Sequence, residues 1–310
     1  HLQFAFPTAK FHLELVFEYS YHVNLEKSLK LHPLLDQYQS FLQGNDVLVI
    51  GHFKGVTDFN PPASSQTLTS QGSEDLFVLS LDAAGNFNWV KQIGAAGSIG
   101  AKSIRVDAMG DIVFSGIFEG TVNFNPSGTP LTKISSGGYD LFFAKMSPTQ
   151  NVMWVNVLGN IYDQYDCHLA IDASNSIFMA APYSGSMDVD PSAVTQLVTS
   201  NGDYDFLVQK YTTNGVLTST RSFGGTGGDL TTGIEIDSNN DLILCGNYNQ
   251  TLDFNSPFGN AIHTSNGNTD AFLLKLNNSL DFEWVRTFGG TNYDGTIDLT
   301  YDNNNDYYLT

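Results

Sequence analysis

Basic residues and cysteines are scarce in this chain: 13 Lys and Arg stand against 32 Asp and Glu, and two of the 310 residues are cysteine. The formal charge of -19 repels phosphate backbones and anionic membranes, which argues against nucleic acid as a partner and favours cations or neutral ligands. Cys167 and Cys245 occupy unrelated positions, so they make neither a repeated disulfide nor a thiolate metal site and are expected to be buried free thiols. No apolar run approaches the roughly 18 to 20 residues of a membrane helix. No basic-then-apolar leader opens the chain, which is therefore read as a mature protein or a fragment. Enzyme signatures are missing too. There is no Gly-x-Ser-x-Gly elbow, no His-Glu-x-x-His and no phosphate loop. His52, His168 and His263 share no pattern that would mark a general base, and the expectation is a protein that is not an enzyme.

Glycine is absent from residues 1–43, whereas all 29 glycines fall from Gly44 onward. That shift in composition marks 1–43 as an atypical N-terminal segment, either a degenerate blade or a cap. Within it Phe11, Leu13, Leu15 and Phe17 alternate as in a strand, and Leu34 to Gln43 has the pattern of a short helix stopped by Gly44. His1, His12, His22 and His32 are spaced like no metal-ligand motif.

From residue 44 to 310 the chain repeats itself every 65 residues. The step carries Asp75 to Asp140, Asp205 and Asp270, and Gly94 to Gly159, Gly224 and Gly289. Each unit reads as four short strands. Strand a is Asp46 to Phe53 and its counterparts, followed two positions on by Gly55, Gly120, Gly185 or Gln250, where a bulge or bend is expected. Strand b starts at the repeated Asp, strand c carries Trp89, Trp154, Ser219 or Trp284, and strand d ends in an Asp-x-x-Asn/Gly-Asp turn. The units run about 46–107, 111–172, 176–237 and 241–302, with the start of a fifth at 306–310. Short antiparallel strands at constant spacing predict an all-β fold, a β-propeller of four-stranded blades. Phe77, Phe142 and Phe272 and the three tryptophans are expected to be buried between neighbouring blades.

At Asp58-Phe-Asn-Pro61, Asp140-Leu-Phe-Phe-Ala-Lys145 and Trp284-Val-Arg-Thr-Phe-Gly-Gly290 the chain resembles the bacterial SBBP repeat family of β-propellers. The resemblance covers about 265 residues; Ser80, Ala181 and Ser219 depart from it. It implies an extracellular or cell-surface protein, often an adhesin-like module, and a seven-bladed ring. Four full units then mean a fragment of a larger ring, or a smaller one closed with help from 1–43.

In an up-and-down meander the a–b and c–d loops share one end of each sheet. That end gathers the candidate ligand-binding face: Asp58, Asn60, Asp188, Asp190, Asp253 and Asn255, with Asn123 and Asn125. Oxygens two residues apart suit calcium, with Asp188, Asp190, Asp229 and Asp294 as the candidate ligands. The same residues start turns by bonding their own backbone, which is the preferred reading. Lys145, Lys210 and Lys275, with Lys91, Arg221 and Arg286, are expected to form framework ion pairs. The leading function is a non-enzymatic module that binds a protein or surface polysaccharide. Alternatives are a calcium-assisted lectin-like propeller, a glycan-acting hydrolase using Asp188 and Asp190, and a self-assembling subunit pairing edge-to-edge through Asp306 to Thr310.

Overall fold

A computed structural model describes residues 38–44, 46–60, 65–94, 96–302 and 306–310. The strand expected at 11–17, the four early histidines and the start of the segment at 34–43 lie outside the described residues. All regular structure among the described residues is β. The first sheet comprises β1 (Tyr38–Gln43), β2 (Asp46–Phe53), β5 (Asp75–Leu81) and β6 (Phe87–Ile93), with a small hairpin of β3 (Val56–Asp58) and β4 (Thr67–Thr69) between β2 and β5. The second comprises β7 (Ser98–Val106), β8 (Ile112–Glu119), β11 (Asp140–Met146) and β12 (Val152–Leu158), with hairpin β9 (Thr121–Asn123) and β10 (Thr132–Ile134). The third is β13 (His168–Ile171), β14 (Ile177–Tyr183), β17 (Asp205–Tyr211) and β18 (Leu217–Phe223), with hairpin β15 (Ser186–Asp188) and β16 (Leu197–Thr199). The fourth is β19 (Leu230–Ile236), β20 (Leu242–Tyr248), β23 (Asp270–Leu276) and β24 (Phe282–Phe288), with hairpin β21 (Thr251–Asp253) and β22 (Ile262–Thr264). A last pair, β25 (Leu299–Tyr301) and β26 (Tyr307–Leu309), follows.

The sequence repeat and the sheet are out of phase. Strand d leaves its own unit and pairs with strand a of the next, as β7 does with β8 and β19 with β20. The periods 46–107, 111–172, 176–237 and 241–302 therefore contribute to sheets that span 38–93, 98–158, 168–223 and 230–288. The reason is turn length, because antiparallel neighbours joined by a tight turn pair first. In the d–a turn Asp107 Oδ1 accepts from the amides of Met109 (2.8 Å) and Asp111 (3.0 Å). Asp172 and Asp237 do the same in theirs. Gly110, Asn175 and Asn240 take the left-handed conformation there, at φ of 82, 63 and 67°. The turn reading of these Asp-x-x-Asn/Gly-Asp runs is borne out. The short helix expected over Leu34 to Gln43 is not: Tyr38–Gln43 is β1, paired with β2 from Tyr38↔Gly51 to Gln43↔Asp46. A six-residue segment beside an unpaired strand gains a full ladder, whereas a helix that short is marginal.

The chain divides into two compact units, 1–135 with 142–155 and 136–141 with 156–310. In the second, the facing sides of the third and fourth sheets share one core containing Phe178, Phe206, Leu244, Phe254 and Phe272. Phe206 stacks on Phe223 at 4.9 Å and on Phe272 at 5.3 Å. Phe77, Phe142 and Phe272 are fully buried as expected, but Trp89, Trp154 and Trp284 are only half-buried. Strand c is the edge strand of its sheet, so one side of each indole has no neighbouring strand. Cys167 and Cys245 are buried thiols outside any disulfide.

Repeated lysines pair inside the framework. Lys145 Nζ lies 2.7 Å from Asp107 and 3.0 Å from Asp111, and Lys275 Nζ 2.8 Å from Asp237 and 3.0 Å from Asp241. Burial alone would lower Lys275, yet its bonds to the two carboxylates outweigh that and hold it above the ordinary lysine value. Where Ser176 replaces the strand-a Asp, Lys210 turns to Asn278, which in turn donates to Asp172. Arg221 and Lys91 depart from the ion-pair expectation. Arg221 donates to Leu280 O and Asn255 Oδ1, and Lys91 to Ser127 Oγ, so both use neutral acceptors.

At the start of each strand b, the buried carboxylate of Asp75, Asp140, Asp205 or Asp270 accepts the amide four residues upstream at 2.8–3.0 Å. A Cβ built on Gly94, Gly159, Gly224 or Gly289 would sit 1.8–2.2 Å from that carboxylate. Gly224→Ala should therefore cost about 1–3 kcal/mol or more through overpacking. Gly228→Ala, with nothing within 4 Å of the new methyl, should stay within about 0.5 kcal/mol of wild type. Urea unfolding of the two variants measures the contrast, and equal midpoints would refute it.

Candidate functional site

The a–b connection begins where strand a ends. Gly55, Gly120, Gly185 and Gln250 all take positive φ, from 63 to 82°, which confirms the expected bend. Each of their amides donates to a serine fifteen residues on, Ser70, Ser135, Ser200 or Ser265, at 2.8–3.0 Å. The chain then forms the three-residue hairpin, and a buried aromatic ties it down. Phe59 packs on Phe53 and Phe77, Phe124 on Phe118 and Phe142, and Phe254 on Tyr248 and Phe272, at 4.8–5.5 Å.

The candidate ligand residues serve this loop. Asp58 Oδ1 accepts from the amides of Asn60 (3.0 Å) and Gln66 (2.8 Å). Asp188 Oδ1 accepts from Asp190 (3.2 Å) and Gln196 (2.9 Å), and Asp253 Oδ1 from Asn255 (3.0 Å) and Ala261 (2.9 Å). Asn123 does the same with its amide oxygen, at 3.1 Å from Asn125 and 3.0 Å from Leu131. The position therefore requires a side-chain oxygen and not a charge. Of the second members, Asp190 accepts from the Ser192 amide and Asn255 from Arg221, while Asn125 donates to Thr129 O and Asn151. Asp188 and Asp190, the pair considered for glycan hydrolysis, thus sit in one turn.

Asp229 and Asp294 lie elsewhere, on the c–d loops. The residue before the buried strand-b Asp holds each loop in place: Glu74, Tyr139, Tyr204 and Thr269 accept through their carbonyls from the amides of Ile99, Gln164, Asp229 and Asp294 at 2.7–3.2 Å. Asp294 Oδ2 accepts from Gly290 at 2.8 Å. Asp229 is fully buried. Its Oδ2 accepts from Gly225 at 2.7 Å and its Oδ1 from Asn249 at 3.3 Å, tying the loop to the end of β20. Burial pushes its carboxyl up to about 6, with Asp205 adding to the rise against the two backbone bonds. The structure does not bring Asp188 and Asp190 together with Asp229 and Asp294, and no group of three or more His, Cys, Asp or Glu with metal-binding geometry occurs among the described residues.

One recess at this end went unnoticed in the sequence. Asp203, Tyr204, Leu230, Asn247, Asn249 and Tyr293 border an open cavity of about 410 Å³, together with Gly228 and Thr269. Tyr204 bridges to Gly228 and Thr269 to Tyr293 in parallel pairs, so two backbone crossings form its walls. Asn247 is held by Thr296, whose amide donates to Asn247 Oδ1 at 2.7 Å. The available signal was departure from the repeat: in 65-residue steps Tyr204 corresponds to Thr269, and Leu230 to Tyr165.

No protein-family model matches the chain, and no curated protein shows significant similarity to it.

Asp229 makes stability depend on pH. Its folded-state value of about 6 lies above the ordinary 3.8, so between the two the folded chain holds a proton that the unfolded chain has released. The contribution is fully present below about pH 4 and is lost as pH rises through 6, about 3 kcal/mol in all. In Asp229→Asn this fall should flatten. Melting curves from pH 4 to 7 for both proteins test it, and identical slopes would refute the assignment.

Proposed function

We propose that this chain is an SBBP-type β-propeller, extracellular or at the cell surface, and that it acts as a non-enzymatic module whose loop end binds a protein or a surface polysaccharide. The observation behind this reading is how side chains divide the work at that end. The carboxylates and amides of the a–b loops are spent on their own backbone, while large apolar side chains stand exposed around them. In unit 136–141 with 156–310, Ile161, Tyr162 and Tyr165 on one c–d loop, Tyr293 and Ile297 on the c–d loop two steps on, and Phe258 on an a–b loop are each more than half exposed. Exposed apolar groups rimmed by polar backbone turns favour contact with another surface. The charge of -19 steers that surface away from nucleic acid. No described helix is long and apolar enough to cross a membrane.

Pelleting of labelled protein with insoluble bacterial cell-envelope material tests the reading. Ile161→Glu with Ile297→Glu should reduce the bound fraction about tenfold, as loss of about 1.4 kcal/mol would, and Val216→Glu in a b–c turn at the opposite end should leave it unchanged. Equal loss from both variants, or no retention of the wild type, would reject it.

A further inference from the structure

We infer that the recess between Tyr204 and Tyr293 is a saccharide site, taking a neutral or amino-bearing pyranose and rejecting a uronic acid. The inference rests on the reading of the loop end as a binding surface and assigns it a ligand class.

The repeat changes at two of the positions that border the recess. One step earlier in the array Tyr165 stands where Leu230 stands, and Tyr204 where Thr269 stands. Those two tyrosines meet edge-on, with ring centroids 6.0 Å apart. Leu230 and Thr269 have neither the rings nor the phenol groups to close the gap in that way, and the opening of about 410 Å³ lies where they stand. That volume is within the range of small-ligand sites.

Its border suits a sugar. Tyr204 is held in place by Tyr165, while Tyr293 is 68 % exposed on the opposite wall, which gives two aromatic surfaces, one fixed and one free to adapt. Such rings cover the apolar C–H face of a pyranose while their hydroxyls bond its polar rim. Asn249 adds a half-buried amide, and Leu230 an apolar floor. Asp203 is exposed at the mouth, and no Lys, Arg or His borders the opening, so an anionic sugar meets only like charge. The fold does not require this set. At the sequence positions two steps earlier the residues are Ser73, Glu74, Ile117, Glu119 and Asp163 for Asp203, Tyr204, Asn247, Asn249 and Tyr293.

Calorimetric titration of the whole chain in chelator, with hexamers of glucose (β-1,4 and α-1,4), N-acetylglucosamine, glucosamine and galacturonate, tests the assignment. At least one neutral or amino hexamer should bind saturably and the galacturonate hexamer should not. Tyr293→Ala should weaken binding about tenfold or more, and Tyr308→Ala, on β26, should leave it unchanged. Leu230→Tyr with Thr269→Tyr fills the opening from two of its bordering positions, and should abolish binding with no loss of melting temperature. The assignment is overturned if no hexamer binds, if only galacturonate binds, or if binding survives both Tyr293→Ala and the double tyrosine variant. Should those failures occur while envelope retention still depends on Ile161 and Ile297, the saccharide site alone is lost. Should retention fail too, so does the binding reading beneath it.

Discussion

Each four-stranded sheet among the described residues depends on a carboxylate buried beneath a glycine. At the head of strand b, Asp75, Asp140, Asp205 and Asp270 are at most 1 % exposed, and each spends Oδ2 on a backbone amide. The other oxygen has no hydrogen-bond partner and lies against the glycine that ends strand c. Burying an acid this way is costly, and burial does raise Asp140 and Asp205 above the ordinary carboxylate value. The return is positional. With no side chain on the glycine, strand c can end directly over the acid, and the c–d loop starts from a fixed point. The residue before the acid then takes the loop amide onto its carbonyl. One buried pair per repeat thus sets where the loops of that end begin.

The same residue pair made the repeat legible. A 65-residue step that preserves both an Asp and a Gly leaves little choice but four strands per period, and the strand positions followed from it. Pairing did not follow, because periodicity is blind to phase: a period can be cut anywhere, and the tight d–a turn decides that strand d belongs to the next sheet. The segment Tyr38–Gln43 departs from its local pattern for a related cause. Its apolar spacing fits a helix, but the free edge of β2 is a partner that no local pattern reveals. The half-buried tryptophans add a third case, since the aromatic pattern gave their position in the strand and not the edge place of that strand in the sheet.

Charge was legible in amount and not in use. The 32 acidic residues suggested ligands for a cation, yet many act as acceptors for the amides of their own turns, in the d–a turns through Asp107, Asp172 and Asp237 and in the a–b loops through Asp58, Asp188 and Asp253. Asn123 is the informative exception: an amide oxygen closes its loop at the same two distances within a few tenths of an ångström. Acidity at these positions is therefore separable from the fold. It remains available as part of the net charge of -19.

Function in a repeat of this kind is better sought where the repeat fails than where it holds. Positions kept at every step, such as the Asp–Gly pair, and those kept at three of the four, such as the aromatic trio beneath the hairpins, are accounted for by packing and backbone bonds. Positions that change are free of that duty. The change of Tyr165 to Leu230 and of Tyr204 to Thr269 one step on removes two rings from a place where the scaffold tolerates their absence. It leaves Tyr204 behind, supported from one side and facing an opening on the other. One step earlier the two tyrosines Tyr165 and Tyr204 are in contact across the corresponding sequence positions. The physical content of the proposed site is therefore a subtraction: two aromatic rings fewer than one step earlier, with aromatic and amide groups left around the space.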